Sequence, residues 1–121
     1  PTAYLNISAA NLNAATSNLG DIYLADVGRF KGGDGTIHVE PSAFLPNNVI
    51  GSPGDTVALW VNVGVQMCKP MVTAFIQEAN LIQVMNGSTW IAQWTSPPPP
   101  TALEAACNQN LPNLTLRMHF S

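Results

Sequence analysis

The run Gly54-Asp55-Thr56-Val57-Ala58-Leu59-Trp60-Val61-Asn62-Val63-Gly64-Val65 constrains the fold more than any other part of the chain. Val57, Leu59, Val61, Val63 and Val65 fall at every second position, so an extended backbone puts them on one face and Thr56, Ala58, Trp60 and Asn62 on the other. A helix would scatter the same five residues around its circumference. The β-branched side chains of the four valines also favour a pleated surface. This stretch is therefore predicted to be a strand with one buried face, and its neighbours must supply the rest of a sheet.

The same alternation marks further strands. Ala3, Leu5, Ile7 and Ala9 oppose Tyr4, Asn6 and Ser8 near the start, where positions 1–9 read as an edge strand or an arm, followed by a loop or single helical turn over 10–20. Asp21 to Val27 and Thr36 to Val39 flank the glycine-rich turn Gly28-Arg29-Phe30-Lys31-Gly32-Gly33-Asp34-Gly35. That turn feeds a strand and lacks the GK[ST] ending of a phosphate loop, and its acids are too sparse for a calcium loop.

Pro41 to Pro46 breaks the pattern, and Asn47 to Ile50 reads as a short extended piece. In Ser52-Pro53-Gly54-Asp55 the proline presets φ and the glycine accepts a positive φ beside it, so a turn is predicted before the central strand. Pro70 is expected to end that strand in an edge, a bulge or a crossing to a second sheet, with Met71 to Ile76 resuming as a strand.

Leu81 to Val84 and Ser88 to Trp94 flank Asn86-Gly87, the signature of a hairpin with a type I′ turn. Trp90 and Trp94, four apart on one strand, are predicted to share a face. Pro97 to Pro100 reads as a stiff polyproline II connector. Thr101 and Glu104 have capping-box spacing, opening a helix of one or two turns near 102–107. Positions 108–113 read as loop, and Leu114, Leu116, Met118 and Phe120 alternate with Thr115, Arg117 and His119 in a last strand. The expected architecture is all-β: a two-sheet antiparallel β-sandwich of Greek-key, immunoglobulin-like or jelly-roll type. It would have eight or nine short strands and one short helix, in a single domain over 1–121.

Composition narrows the function classes. Only 9% of the 121 residues are charged, against about 25% in a typical domain. The net charge is -3. No basic patch for nucleic acid or for a membrane surface is present, and no apolar run is long enough to span a bilayer, so neither partner is expected. Pro1 fits a chain freed of a signal peptide or of its initiator Met. A surface so poor in charge is either covered by neighbouring subunits or kept in solution by Asn, Gln, Ser and Thr.

From Phe44-Leu45-Pro46 through Gly54-Asp55-Thr56-Val57 to Trp60-Val61-Asn62, the chain resembles a segment of the cupredoxins and the corresponding turn and strand of immunoglobulin-like modules. The cupredoxin resemblance implies a copper site of two histidines, a cysteine and a methionine. Cys107, Met118, His119 and His38 do not have that family's spacing, and no cofactor is expected. The immunoglobulin resemblance implies cysteines paired around a core tryptophan, an order matched by Cys68, Trp90 and Cys107 at a shorter spacing. A Cys68–Cys107 disulfide and a pair of buried thiols both stay open.

Three Asn-x-Ser/Thr sequons occur, at Asn6, Asn86 and Asn113. Catalytic motifs are absent: neither histidine has an acid or nucleophile at motif spacing, and the acids Asp21, Asp26, Asp34 and Glu40 gather only through one expected hairpin. The expected function is non-catalytic, a small assembly subunit such as a capsid decoration protein or an extracellular filament subunit, oligomeric or particle-bound, on a virion or extracellular surface. Its contacts are expected at Tyr4, Leu5, Ile7, Arg29, Phe30, Lys31, Pro97 and Pro98. The alternative is a secreted carbohydrate- or protein-binding module that stacks its ligand on Trp60, Trp90, Trp94 or Tyr23.

Overall fold

The computed structural model describes residues 37–121. The expected strands at 2–8 and 21–27 and the glycine-rich turn at 28–35 lie outside the described residues.

The long alternating run forms β4 (Thr56–Gly64), preceded by β1 (Ile37–Ser42), β2 (Phe44–Leu45) and β3 (Val49–Ile50), and followed by α1 (Cys68–Phe75). The chain continues through β5 (Leu81–Asn86), β6 (Thr89–Trp94), α2 (Pro100–Cys107) and β7 (Asn113–Phe120). Five strands make one antiparallel sheet in the order β1-β4-β7-β5-β6, and β2 and β3 form a separate two-stranded ribbon. Because β7 is antiparallel to both β4 and β5, those two strands run parallel to each other. Parallel strands need a crossover, and α1 supplies it. By the same logic α2 carries the chain from β6 to β7, past β5.

The core lies between one sheet face and the two helices. Val57, Leu59, Val61 and Val63 of β4, Leu114, Leu116, Met118 and Phe120 of β7, and Ile82 and Val84 of β5 pack with Cys68, Met71, Val72 and Ile76 around α1 and with Leu103 and Cys107 of α2. The mostly β character matches expectation. The layer over the core face is helical, however, where a second sheet was expected, and the only other sheet among the described residues is the β2–β3 ribbon.

The strand expected over 71–76 is α1. Cys68, Met71, Val72, Phe75, Ile76 and Ala79 follow the i, i+3, i+4, i+7 stripe of an amphipathic helix, and all pack into or against the core. Met71 to Ile76 alone is too short to separate that period from the alternation of a strand. Pro70 sits in the helix's first turn, where a missing N–H removes no internal hydrogen bond.

Turn chemistry was legible with one exception. Asp55 N–H donates to the Ser52 carbonyl at 3.0 Å, and Gly54 has φ 92, as a Pro-Gly type II turn requires. In the β5–β6 hairpin Asn86 pairs with Thr89. The central residues are therefore Gly87 and Ser88, and only Gly87, at φ 61, is left-handed. This fits a type II′ turn in place of I′. A bulge shifts the pairing from Val84↔Ala92 to Met85↔Trp90, making Ile91 an extra residue. It reverses the alternation within β6, so Trp94 and Ile91 pack on the core while Trp90 is 57% exposed. The expected shared face for Trp90 and Trp94 is thus lost.

At α2 the capping box does not form: the helix begins at Pro100 after Pro99, with no side-chain cap, and the Glu104 carboxylate pairs instead with Lys69 Nζ on α1. Beside that ion pair Cys68, the first residue of α1, is disulfide-bonded to Cys107, the last of α2, with their Cα atoms 5.6 Å apart. A link across 39 residues stabilises the fold by about 4 kcal/mol on the chain-entropy model. Replacing both cysteines by alanine is expected to lower unfolding stability by about that amount, measured as a lower urea midpoint with an otherwise native circular dichroism spectrum.

Candidate functional site

The sheet face turned away from the helices carries a connected set of polar side chains. Strand register lines its side chains into rows. His38, Trp60, Arg117, Gln83 and Gln93 stand directly opposite one another across β1, β4, β7, β5 and β6. In the next row Glu40, Ala58, His119 and Leu81 do the same.

These rows are knitted into one network. Glu40 Oε1 accepts hydrogen bonds from Trp60 Nε1 at 2.7 Å and Arg117 Nη2 at 2.8 Å, and the guanidinium stacks over the Trp60 ring with Cζ 4.7 Å from its centroid. His38 Nε2 lies 3.4 Å from Glu40 Oε2. Arg117 Nη1 reaches Gln83 Oε1 at 3.4 Å, and Gln83 Nε2 donates to Gln93 Oε1 at 3.3 Å. His119 closes the chain, with Nε2 2.9 Å from the same Gln83 oxygen and Nδ1 2.6 Å from Ser42 Oγ. Since the Gln83 oxygen only accepts, His119 carries its proton on Nε2 and takes the Ser42 O–H at Nδ1. Burial of Glu40 raises its pKa, but hydrogen bonds from Trp60 and Arg117, with the Arg117 charge, outweigh it and leave the carboxyl below its usual value.

The ribbon seals the His119 end. Phe44 packs edge-on against the imidazole with centroids 4.7 Å apart. Asn80 Nδ2 fastens the ribbon by donating to the Phe44 carbonyl at 3.0 Å and to Ser121 Oγ at 2.7 Å. His119 is fully buried and Ser42 nearly so. Desolvation, with the nearby Arg117 charge, pushes the imidazole down to about 4 against a smaller opposing effect of Glu40. The Ser42–His119 pair shares its residue types with a nucleophile and its base. Yet it is closed to solvent, the imidazole is a weak base, and a neutral amide stands where an orienting carboxylate would. As arranged, the network ties all five strands of the sheet together.

Other expected features fall elsewhere. Tyr4, Leu5, Ile7, Arg29, Phe30, Lys31 and Tyr23, with Asp21, Asp26 and Asp34, lie outside the described residues. Pro97 and Pro98 are in the connector from β6 to α2, which enters the helix in extended polyproline form at Pro99. The Cys107 sulfur is bonded to Cys68 and is no thiolate ligand. No cluster of His, Cys, Asp or Glu among the described residues could hold a metal ion, and none of their helices is long and apolar enough to cross a membrane. A groove between Lys69, Glu104 and Gln109 encloses about 240 Å³, below the usual range for a small-molecule site. Large apolar side chains stand exposed at Val49 (51%), Ile50 (71%) and Trp90 (57%).

Glu40, Gln83 and Ser42 escaped notice as partners because their contacts depend on which strands are neighbours. The polar side of the alternation, Trp60 and Asn62 against Thr115, Arg117 and His119, was the signal in the sequence.

The His119 network predicts acid sensitivity. Unfolding frees the imidazole to its ordinary pKa of 6.5 from about 4, so the unfolded chain binds the extra proton between those values. Stability is complete above pH 6.5 and falls as pH drops toward 4, by on the order of 3 kcal/mol in all. Thermal melts across this range should show that slope in the native protein and lose it in His119→Gln.

Comparisons with protein-family models, curated proteins and solved structures give no match.

Proposed function

We propose that this protein is a non-catalytic interaction subunit that packs into a larger protein assembly, such as a virus or phage coat that it decorates or an extracellular filament. One observation carries the proposal: Val49 and Ile50 stand 51% and 71% exposed at the tip of the ribbon. In this ribbon Pro46, Asn47 and Asn48 join strands of only two residues, both asparagines adopt positive φ, and Val49 and Ile50 alternate to opposite faces of β3. Covering the exposed part of either side chain against a partner contributes a fraction of the roughly 1.5–3 kcal/mol of full burial. Only 9% of the residues are charged, so desolvating a neighbouring surface costs little. The Cys68–Cys107 disulfide supports maturation in an oxidising compartment or residence on an exterior surface. The closed, weakly basic Ser42–His119 pair supports the non-catalytic side of the proposal.

A second reading rests on Trp90. Its exposed indole shares a sheet face with Gln93 and Gln83, a combination suited to stacking on and hydrogen bonding to a sugar ring.

Sedimentation of the native protein, alone and with particles from its source, separates the two. The assembly reading expects oligomers or particle-bound protein, weakened at least tenfold by Ile50→Lys and unchanged by Trp90→Ala. A monomer that binds no particle, with Trp90 fluorescence shifted to the blue by oligosaccharide, would overturn it in favour of the second.

A further inference from the structure

We infer that Asn86 is an N-glycosylation site, modified by oligosaccharide transfer from a lipid-linked pyrophosphate donor. The inference rests on the part of the proposed function that takes the chain through a secretory route, and does not extend to a phage coat.

Three sequons occur in the chain, and the fold treats those it describes differently. Asn86-Gly87-Ser88 is the tip of the β5–β6 hairpin, all three residues are exposed, and apart from the two chain neighbours no atom lies within 4 Å of where a Gly87 side chain would start. A sugar there projects into solvent without moving any neighbour. Asn113-Leu114-Thr115 opens β7, a central strand: Asn113 is half-buried opposite Gly64, and Leu114 is 1% exposed. Asn6 lies outside the described residues.

Two further observations point the same way. The Cys68–Cys107 disulfide favours an oxidising compartment, the setting in which N-linked transfer takes place. The hairpin also lies in a stretch, positions 79–103, without a single Asp, Glu, Lys or Arg. Its outer strand β6 has no partner on one side among the described residues and exposes Trp90. An uncharged sheet edge beside an exposed indole invites pairing with other chains, and natural edges are usually protected by charge, proline or bulk. A glycan on the turn supplies hydrated bulk at this place.

The step balances without a redox partner. The Asn86 side-chain nitrogen forms a bond to C1 of the oligosaccharide, the C1–oxygen bond to the lipid pyrophosphate breaks, the pyrophosphate leaves with the electron pair, and the amide loses one proton to the transferring enzyme. Ser88 provides the hydroxyl two positions on that recognition requires.

The test is peptide mapping of native-source protein, combined with secretion of the full chain and its variants from a eukaryotic host. The expected result is one glycan on the peptide containing Asn86, removed by an amidase that converts Asn86 to aspartate, lost in Ser88→Ala and kept in Ser88→Thr. Native-source protein that is unmodified at Asn86, or that carries its only sugar at Asn113 or Asn6, overturns the inference. So does a glycan that survives Ser88→Ala. Import of the translated chain into microsomes gives the same readout for any variant that fails to be secreted.

Discussion

The sheet depends on its last strand. Among the described residues β7 is the one strand that joins β4 on one side to β5 on the other, so without it the β1–β4 pair and the β5–β6 hairpin share no strand pairing. The hairpin can form locally around Gly87. β7 must instead find β4 across roughly half the described chain, and the entropy of closing that loop is recovered only when Leu114, Leu116, Met118 and Phe120 meet the valines of β4. The crossover helices make this insertion possible, because each bridges parallel strands with a slot left between them. Their covalent tie at Cys68 and Cys107 shortens the search by holding the two crossovers together.

Strand alternation gives β7 a second task. Its core-facing residues are uniformly apolar, while Thr115, Arg117 and His119 face the other way, into the network built on Glu40, Trp60 and Gln83. Placing an arginine and an imidazole on a central strand is costly unless every polar atom is engaged. The imidazole meets that condition by staying neutral between Ser42 and Gln83. The guanidinium meets most of it through Glu40, Gln83 and the Trp60 ring, leaving only Nε without a hydrogen bond. Polar order on this face fixes strand register as firmly as packing does on the other, since a slip by one residue would exchange the two faces.

Chemistry at the surface is sparse by comparison. The ribbon and the hairpin carry the exposed apolar side chains, both lie at ends or edges of sheets, and the hairpin holds no charged residue. Such surfaces persist when something covers them, either a partner protein or a covalent modification. A protein partner would cover the ribbon, and a glycan on Asn86 would cover the hairpin.

The sequence by itself determined β4, β7, the β5–β6 hairpin, the Pro53-Gly54 turn and the short helix before β7, because each is encoded in local periodicity or in residues whose backbone preference is strong. Tertiary structure decided what those cues leave open. Met71 to Ile76 was ambiguous between periods two and 3.6 until α1 was required as a crossover, and Trp90 parted from Trp94 through one bulged residue that no local signal announces. Glu104 was drawn from its own helix cap to Lys69 by a neighbour that only folding supplies. The polar network was hidden for the same reason: alternation shows which side chains share a face of one strand, but which strands lie side by side depends on long-range pairing that no window of sequence contains.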